Sequence, residues 1–334
     1  MKVQKILLIQ TAFIGDVILG TAVIEKIHAF YPEAKIDFLL RKGNESLLEG
    51  HPLLNEVLVW NKQENKKKNM FKMIGRIRQN RYDVVVNMQR FFATGLMTAF
   101  SRAPQRIGFK KNPLAWLFSK KVAYQYGKNI HEVDRVLGLV AHLTSEQRAR
   151  PKLYPTQAQF AKVAGYSQNT PYICMAPTSV WFTKQFLQAR WVELLQAIAQ
   201  KYDAPPQVYL LGAPGDKAAC EQIITDAQYP AIKNLAGELT LLESAALMQN
   251  AQMNYVNDSA PMHLASSMNA PSCTIYCSTA PSFGYGPLSD NATIVQVPDL
   301  PCRPCGLHGH TACPKEHFDC AQKIKMSELL EVLE

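Results

Sequence analysis

Residues 7–27 read LLIQTAFIGDVILGTAVIEKI. An apolar run rich in Leu and Ile gives way to a short loop with a glycine and an acid, and then to an amphipathic helical pattern from about Val17 to Phe30. Strand, tight loop, helix is the opening of a parallel α/β unit. A dinucleotide site would carry G-x-G-x-x-G at this turn, and only Gly15 and Gly20 are present, with Asp16 to Leu19 between them. The pyrophosphate fingerprint is missing. Asp16 then reads as a helix N-cap whose carboxylate accepts first-turn amide protons, unless other parts of the chain give it a reactive role.

The same alternation continues outward. KIDFLL, EVLVW and DVVVNM read as strands, with a helix from about Lys66 to Gln79 between the last two. From RARPKLYPTQ onward prolines and polar residues break the pattern, which places a linker near residues 150–170. A second series follows: YICMAP, a helix from about Ala189 to Lys201, QVYLLG, helices near Gly215–Ile224 and Leu241–Gln249, MNYVN, a helix from about Pro261 to Met268, and CTIYC. The fold class is α/β. Open parallel sheets bind ligands beyond the carboxyl ends of their strands, which draws attention to Thr11–Asp16, Pro177–Lys184, Gly212–Gly215 and Asn257–His263.

A chain of 334 residues, 47% hydrophobic and 19% charged, is globular and long enough for two domains. No apolar run reaches the roughly 18–20 residues that span a bilayer, and the chain enters its first strand without a signal-peptide pattern, so a cytoplasmic protein is expected. Charge is divided unevenly. Residues 1–150 carry 25 Lys and Arg against 12 Asp and Glu, whereas residues 151–334 carry 11 against 15. The basic first half should attract a polyanion: nucleic acid, an anionic membrane face or a phosphorylated acceptor.

Two segments of the second half suit an anion. In NDSAPMHLASSM, Asp258 or Ser259 can cap the helix that follows, its first-turn amides attract negative charge, and His263 lies one turn further in. Capping and a satisfied buried histidine are the alternative readings. In APTSVWFTKQF, the hydroxyls of Thr178, Ser179 and Thr183 and the ammonium of Lys184 suit a diphosphate, a solvated surface lysine being the alternative.

Taken in order, IGDVILGTAVI, VVVNMQ, RIGF at Arg106–Phe109, HEVDR at His131–Arg135, APTSVWFTKQF and NDSAPMHLA resemble the ADP-heptose:lipopolysaccharide heptosyltransferases, glycosyltransferase family 9, over nearly the whole chain. The resemblance implies a GT-B architecture, two Rossmann-like domains facing a central cleft, here 1–160 for the acceptor and 170–334 for the nucleotide sugar. It implies an inverting transfer of heptose from a nucleoside diphosphate, ADP-heptose in this family, to the lipopolysaccharide inner core. Asp16 matches the family's catalytic base, Lys184 the lysine at the donor phosphates, and Asp258, Ser259 and His263 the donor-binding helix start. Ala260 replaces a usual glycine there, and Gln185 and Phe186 replace a frequent Arg-Trp pair after Lys184. No clustered aspartates of a metal-dependent glycosyltransferase are present, so no catalytic metal is expected.

Two features remain. In NKKKNMFKMIGRIRQNR, Met70, Met73, Ile74 and Ile77 share one helical face, while Lys66, Lys67, Lys68, Lys72 and Arg76 crowd its flanks. The helix packs on the sheet, captures an anionic glycolipid of Kdo-lipid A type at the inner face of the inner membrane, or does both. Near the C-terminus, Cys302, Cys305, Cys313 and Cys320 are spaced C-x2-C-x7-C-x6-C within residues 302–320, a pattern that suits a structural Zn or Fe site or stays as reduced thiols. Related heptosyltransferases carry a similar set, and some protein-modifying members resemble it with bound iron. Cys174, Cys220, Cys273 and Cys277 read as core. A protein acceptor, as in autotransporter heptosyltransferases, is one alternative; a non-enzymatic polyanion binder is another, disfavoured because no nucleic-acid motif is found.

Overall fold

The computed structural model describes residues 3–125, 130–167 and 170–333, and divides into two α/β units, Met1–Tyr154 and Pro155–Glu334. The first comprises β1 (Lys5–Ile9), α1 (Ile14–Phe30), β2 (Lys35–Arg41), β3 (Glu56–Trp60), α2 (Lys66–Asn80), β4 (Val84–Asn87), α3 (Phe92–Ala99), β5 (Gln105–Phe109), β6 (Lys120–Val122) and α4 (Glu132–Leu137). Its six strands are all parallel and run in the order β3-β2-β1-β4-β5-β6, with Ile6 of β1 registered on Ile36 and Val84. The order reverses between β1 and β4, and ligands of such sheets bind beyond the strand ends at that point.

Helix α1 is less amphipathic than its sequence suggests. It begins at Ile14, and every residue from Val17 to Ile24 is buried. The outer side is covered because α4 packs on it and the chain leading out of the unit crosses it, with the Lys152 N–H donating to Thr21 Oγ1 at 2.8 Å and the Tyr154 hydroxyl to Glu25 at 2.8 Å. Against the sheet, Gly20 lets the helix sit close, since a β-carbon there would lie 3.2 Å from Met88 Sδ. On α2 the stripe Met70, Met73, Ile74 and Ile77 packs with Leu7, Ile9, Leu39 and Leu58, as a sheet-covering helix requires.

The second unit contains α5 (Gln157–Ala164), β7 (Tyr172–Ala176), α6 (Gln188–Lys201), β8 (Gln207–Leu210), α7 (Lys217–Ala227), β9 (Ile232–Asn234), α8 (Leu241–Gln249), β10 (Met253–Asn257), α9 (Ala260–Ser267), β11 (Ser272–Tyr276), β12 (Ala292–Gln296), α10 (Asp319–Gln322) and α11 (Met326–Glu331). Read from β9, the parallel order β9-β8-β7-β10-β11-β12 repeats that of the first sheet. Strands β7, β10 and β11 are buried at every position, the polar Asn254, Asn257, Ser272 and Thr274 included. Cys174, Cys220, Cys273 and Cys277 are buried here, as expected. The stretch expected as linker holds the division at Tyr154 but also α5, which Thr156 caps and Lys162 ties to Glu243 of α8 at 3.0 Å; residues 168 and 169 lie outside the described residues. Among the described residues no helix is long and apolar enough to cross a membrane.

Candidate active site

Asp16 lies at the carboxyl end of β1, at the third position of α1. The N-cap is Phe13, not Asp16, and the Phe13 N–H donates to Asp16 Oδ2 at 3.3 Å. The acid therefore caps the helix from inside its first turn, one half of a capping box. Burial lifts its pKa from 3.8 to about 6, the charge of Glu132 on α4 adds to the rise, and the Phe13 N–H and Arg90 hold it back. Glu132 is itself buried, paired with Arg135 at 2.8 Å and accepting from the Tyr124 hydroxyl at 3.1 Å. Arg90, Lys111 and Arg135 stand 4.1, 5.6 and 5.4 Å from the Tyr124 ring centre. Nearby, Lys62 donates to the Thr11 carbonyl at 2.6 Å, and its own burial and the charges of Arg41 and Lys66 lower its pKa to about 8. A carboxyl raised to about 6 thus sits under the charges of Glu132 and Arg90, which no single position announced in the sequence.

The basic residues of α2 do not form one patch. A crossover helix runs antiparallel to its strands, so Lys66, Lys67 and Lys68, all exposed, start at the ligand-binding edge of the sheet. Arg76 lies some 15 Å further along the helix axis, at about 1.5 Å per residue, and is paired with Glu56 at the start of β3 at 2.5 Å. Arg76 is thereby placed at the opposite edge, and Lys72 between the two.

In the second unit the two anion segments come together. Lys184 donates to both Asp258 Oδ2 and the Asp258 carbonyl, at 2.8 Å each, and the Thr279 hydroxyl donates to the same Oδ2 at 2.5 Å. Asn257, fully buried, joins the loops: its side-chain N–H donates to the Pro177 carbonyl at 2.9 Å and its oxygen accepts from the Phe186 N–H at 2.8 Å. Ser259 is the N-cap of α9 without a capping hydrogen bond from its side chain, Ala260 is the first helical residue, and His263 is buried one turn further on. Thr178 and Ser179 are half-buried beside Lys184 in sequence. Thr183, also expected at the donor, is buried, and its hydroxyl accepts from the His310 N–H at 2.7 Å.

His310 belongs to the cysteine tract, which packs beside this loop. Cys302, Cys305 and Cys313 are half-buried and Cys320 is buried. Burial, reinforced by the neighbouring thiols, raises Cys305 and pushes Cys320 up to about 12. The Cys305 thiol donates to the Cys302 carbonyl at 3.1 Å, and His317 Nε2 lies 3.8 Å from Cys302 Sγ. Among the described residues no three His, Cys, Asp or Glu side chains are gathered to hold a metal ion. The four thiols are neighbours, and Cys320 lies in the core with Phe318 and Ile324.

Two Rossmann-like units of this strand order, each a parallel sheet with helices, give the chain a GT-B fold. Residues 70–314 match glycosyltransferase family 9 (heptosyltransferase), and the chain belongs to that family. It is 29% identical over 296 residues to lipopolysaccharide heptosyltransferase 3 of Escherichia coli, covering 84% of this chain and 85% of the relative. Its fold is similar to that of the E. coli ADP-heptose lipopolysaccharide heptosyltransferase II, with a TM-score of 0.79 at 22% identity, covering 99% of this chain and 98% of the other. A more distant likeness, TM-score 0.59 at 13% identity over 99% of this chain and 75% of the other, is to TibC, an iron-containing dodecameric glycosyltransferase from enterotoxigenic E. coli.

Proposed function

We propose that the chain transfers a heptose from ADP-heptose to the inner core of lipopolysaccharide in a single inverting displacement. An acceptor hydroxyl oxygen bonds to the anomeric carbon as the bond from that carbon to the diphosphate oxygen breaks, ADP departs, and Asp16 takes the hydroxyl proton. Lys184, with the start of α9, stabilises the departing diphosphate. The observation that carries the reading is Asp16 itself, a carboxyl held near pH 6 at a sheet's ligand edge, where a general base for neutral pH should titrate. The names of the relatives support the sugar and the acceptor class. The cationic surroundings of Asp16 and the exposed lysines at the start of α2 suit a phosphorylated, Kdo-bearing glycolipid presented at the cytoplasmic face of the inner membrane, with the protein bound there peripherally.

A protein acceptor is the second reading. The likeness to TibC and the cysteine tract favour it, and the same tract supports a structural zinc or iron ion that holds a loop without entering the transfer. Incubation with a panel of nucleotide sugars and with lipid and protein acceptors decides between the readings. ADP release only with ADP-heptose, with one heptose of inverted anomeric configuration on the lipid, is the expected result; heptose on protein alone selects the second reading, and no turnover with any donor refutes both.

A further inference from the structure

We infer that Gly309 and His310, in the cysteine tract, form a strap that positions Lys184 for the donor diphosphate. The inference rests on the reading that Lys184 meets that diphosphate. Lys184 ends a single 3-10 turn, Phe182–Lys184, too short to hold a long side chain by itself. The strap supplies what the turn lacks. The Thr183 N–H donates to the His310 carbonyl at 3.1 Å, and the His310 N–H donates back to Thr183 Oγ1 at 2.7 Å, so the turn and the tract are bonded in both directions across 127 residues. Gly309 has φ +78°, and a β-carbon there would lie 3.0 Å from Thr183 Oγ1 and 3.1 Å from Lys184 Cγ. Its bare backbone forms a wall against the lysine stem.

The strap is anchored on its far side. His310 Nε2 lies 2.6 Å from the Cys305 carbonyl, the Cys305 N–H donates to the Ser278 carbonyl at 2.8 Å, and the Ser278 N–H donates to the Thr183 carbonyl at 3.2 Å. Phe182 and Phe318 stack with ring centres 5.3 Å apart. Asp258, which holds the lysine's ammonium, is braced from the same tract, since its partner Thr279 accepts at its carbonyl from Arg303 Nε at 2.9 Å. Stem and head of Lys184 are therefore fixed before any anion arrives, which removes the ordering cost from binding. Gly309 and His310 are positioning residues; neither is assigned a contact with the donor.

Titration calorimetry with ADP on the full chain tests this with Lys184→Ala, Gly309→Ala and the double variant. Gly309→Ala should weaken ADP binding about tenfold by displacing the lysine, and should add less than about twofold on top of Lys184→Ala. A merely structural loss would instead multiply with the lysine's. If Gly309→Ala fails to fold, Thr183→Val should show the same loss and Thr183→Ser, which keeps the acceptor for the His310 N–H, should stay within about twofold of the parent. Unchanged ADP affinity in Lys184→Ala overturns both the donor reading and the strap. A loss in Lys184→Ala with none in folded Gly309→Ala or Thr183→Val, or independent losses in the double variant, overturns the strap alone.

Discussion

A carboxylate in the first turn of a helix is ordinarily comfortable, because the helix dipole and the unpaired amides favour its charge. Asp16 has that position and still titrates near 6, since burial and the Glu132 carboxylate outweigh the Phe13 N–H and Arg90. Function and stability therefore pull apart at this residue. Asp16→Asn keeps an acceptor for the Phe13 N–H but cannot take a proton, so turnover should fall about a hundredfold or more while the fold survives. The same change should stabilise. With a folded pKa above the unfolded one, the carboxyl favours the fold fully below about 3.8 and loses that contribution as pH rises through about 6. The Asn variant should accordingly be more stable at pH 8 by on the order of 1–3 kcal/mol and lose the advantage at pH 4, as read by denaturant melts. A wild type more stable than the variant at pH 8 would refute the raised pKa. Activity follows the base, so kcat/KM should climb through an acid limb near 6, and Glu132→Gln should move that limb down by roughly half a unit. An unmoved limb would remove Glu132 from the account. The residue pattern alone offered Asp16 as a cap and the family resemblance offered it as the base; its raised pKa was not legible, because Glu132 and Arg90 reach Asp16 through the fold and not through spacing.

The elements divide by range of interaction. Buried parallel strands such as β4 and β7 declare themselves as apolar runs, and α2 declares its sheet-facing stripe. Short or edge strands do not: β6 is exposed at two of its three residues and β9 is equally brief, so neither leaves a pattern. Helix α5 opens on a capping box, Thr156 and Gln159, that the sequence does carry, but the prolines before it read as linker and its tie to α8 comes only from the fold. On α2 the run of basic residues reads as one patch, and only the helix direction separates Lys66–Lys68 from Arg76. Reversing Lys66, Lys67 and Lys68 to Glu should weaken binding to anionic vesicles about tenfold or more at low salt, with a smaller effect at high salt, whereas Arg76→Gln should change it less than about twofold. Equal losses from both would place the contact along the whole helix. In the cysteine tract, protein purified without chelator should carry about one zinc or iron ion per chain, and stripping it should lower the melting temperature before turnover falls. Metal-free protein of equal heat stability and full activity would show that the thiols stand alone.

At the scale of the whole molecule, one topology is used twice. Asn87 ends β4 and Asn257 ends β10, at equivalent places where the strand order reverses, and each fastens a loop: Asn87 the one beyond its own strand, accepting from the Gln89 N–H at 2.9 Å, and Asn257 the one beyond the neighbouring β7, accepting from the Phe186 N–H at 2.8 Å. The paired alternation of strands and helices was legible from the sequence, since hydrophobic patterning reports it directly. The contacts that organise the donor segment were not, because Lys184, Asp258, Thr279 and His310 come from four separated stretches that only the sheet order brings together. In the proposed function the basic first unit would supply the base and attract the anionic acceptor, and the second would hold the nucleotide sugar. The most direct measurement is mass spectrometry of a Kdo-lipid A acceptor after incubation with ADP-heptose and either wild-type protein or Asp16→Asn. The account predicts one added heptosyl unit with stoichiometric ADP release for the wild type and at least about a hundredfold less from the folded variant. No heptosyl transfer by the wild type, or near-equal transfer by Asp16→Asn, would contradict it.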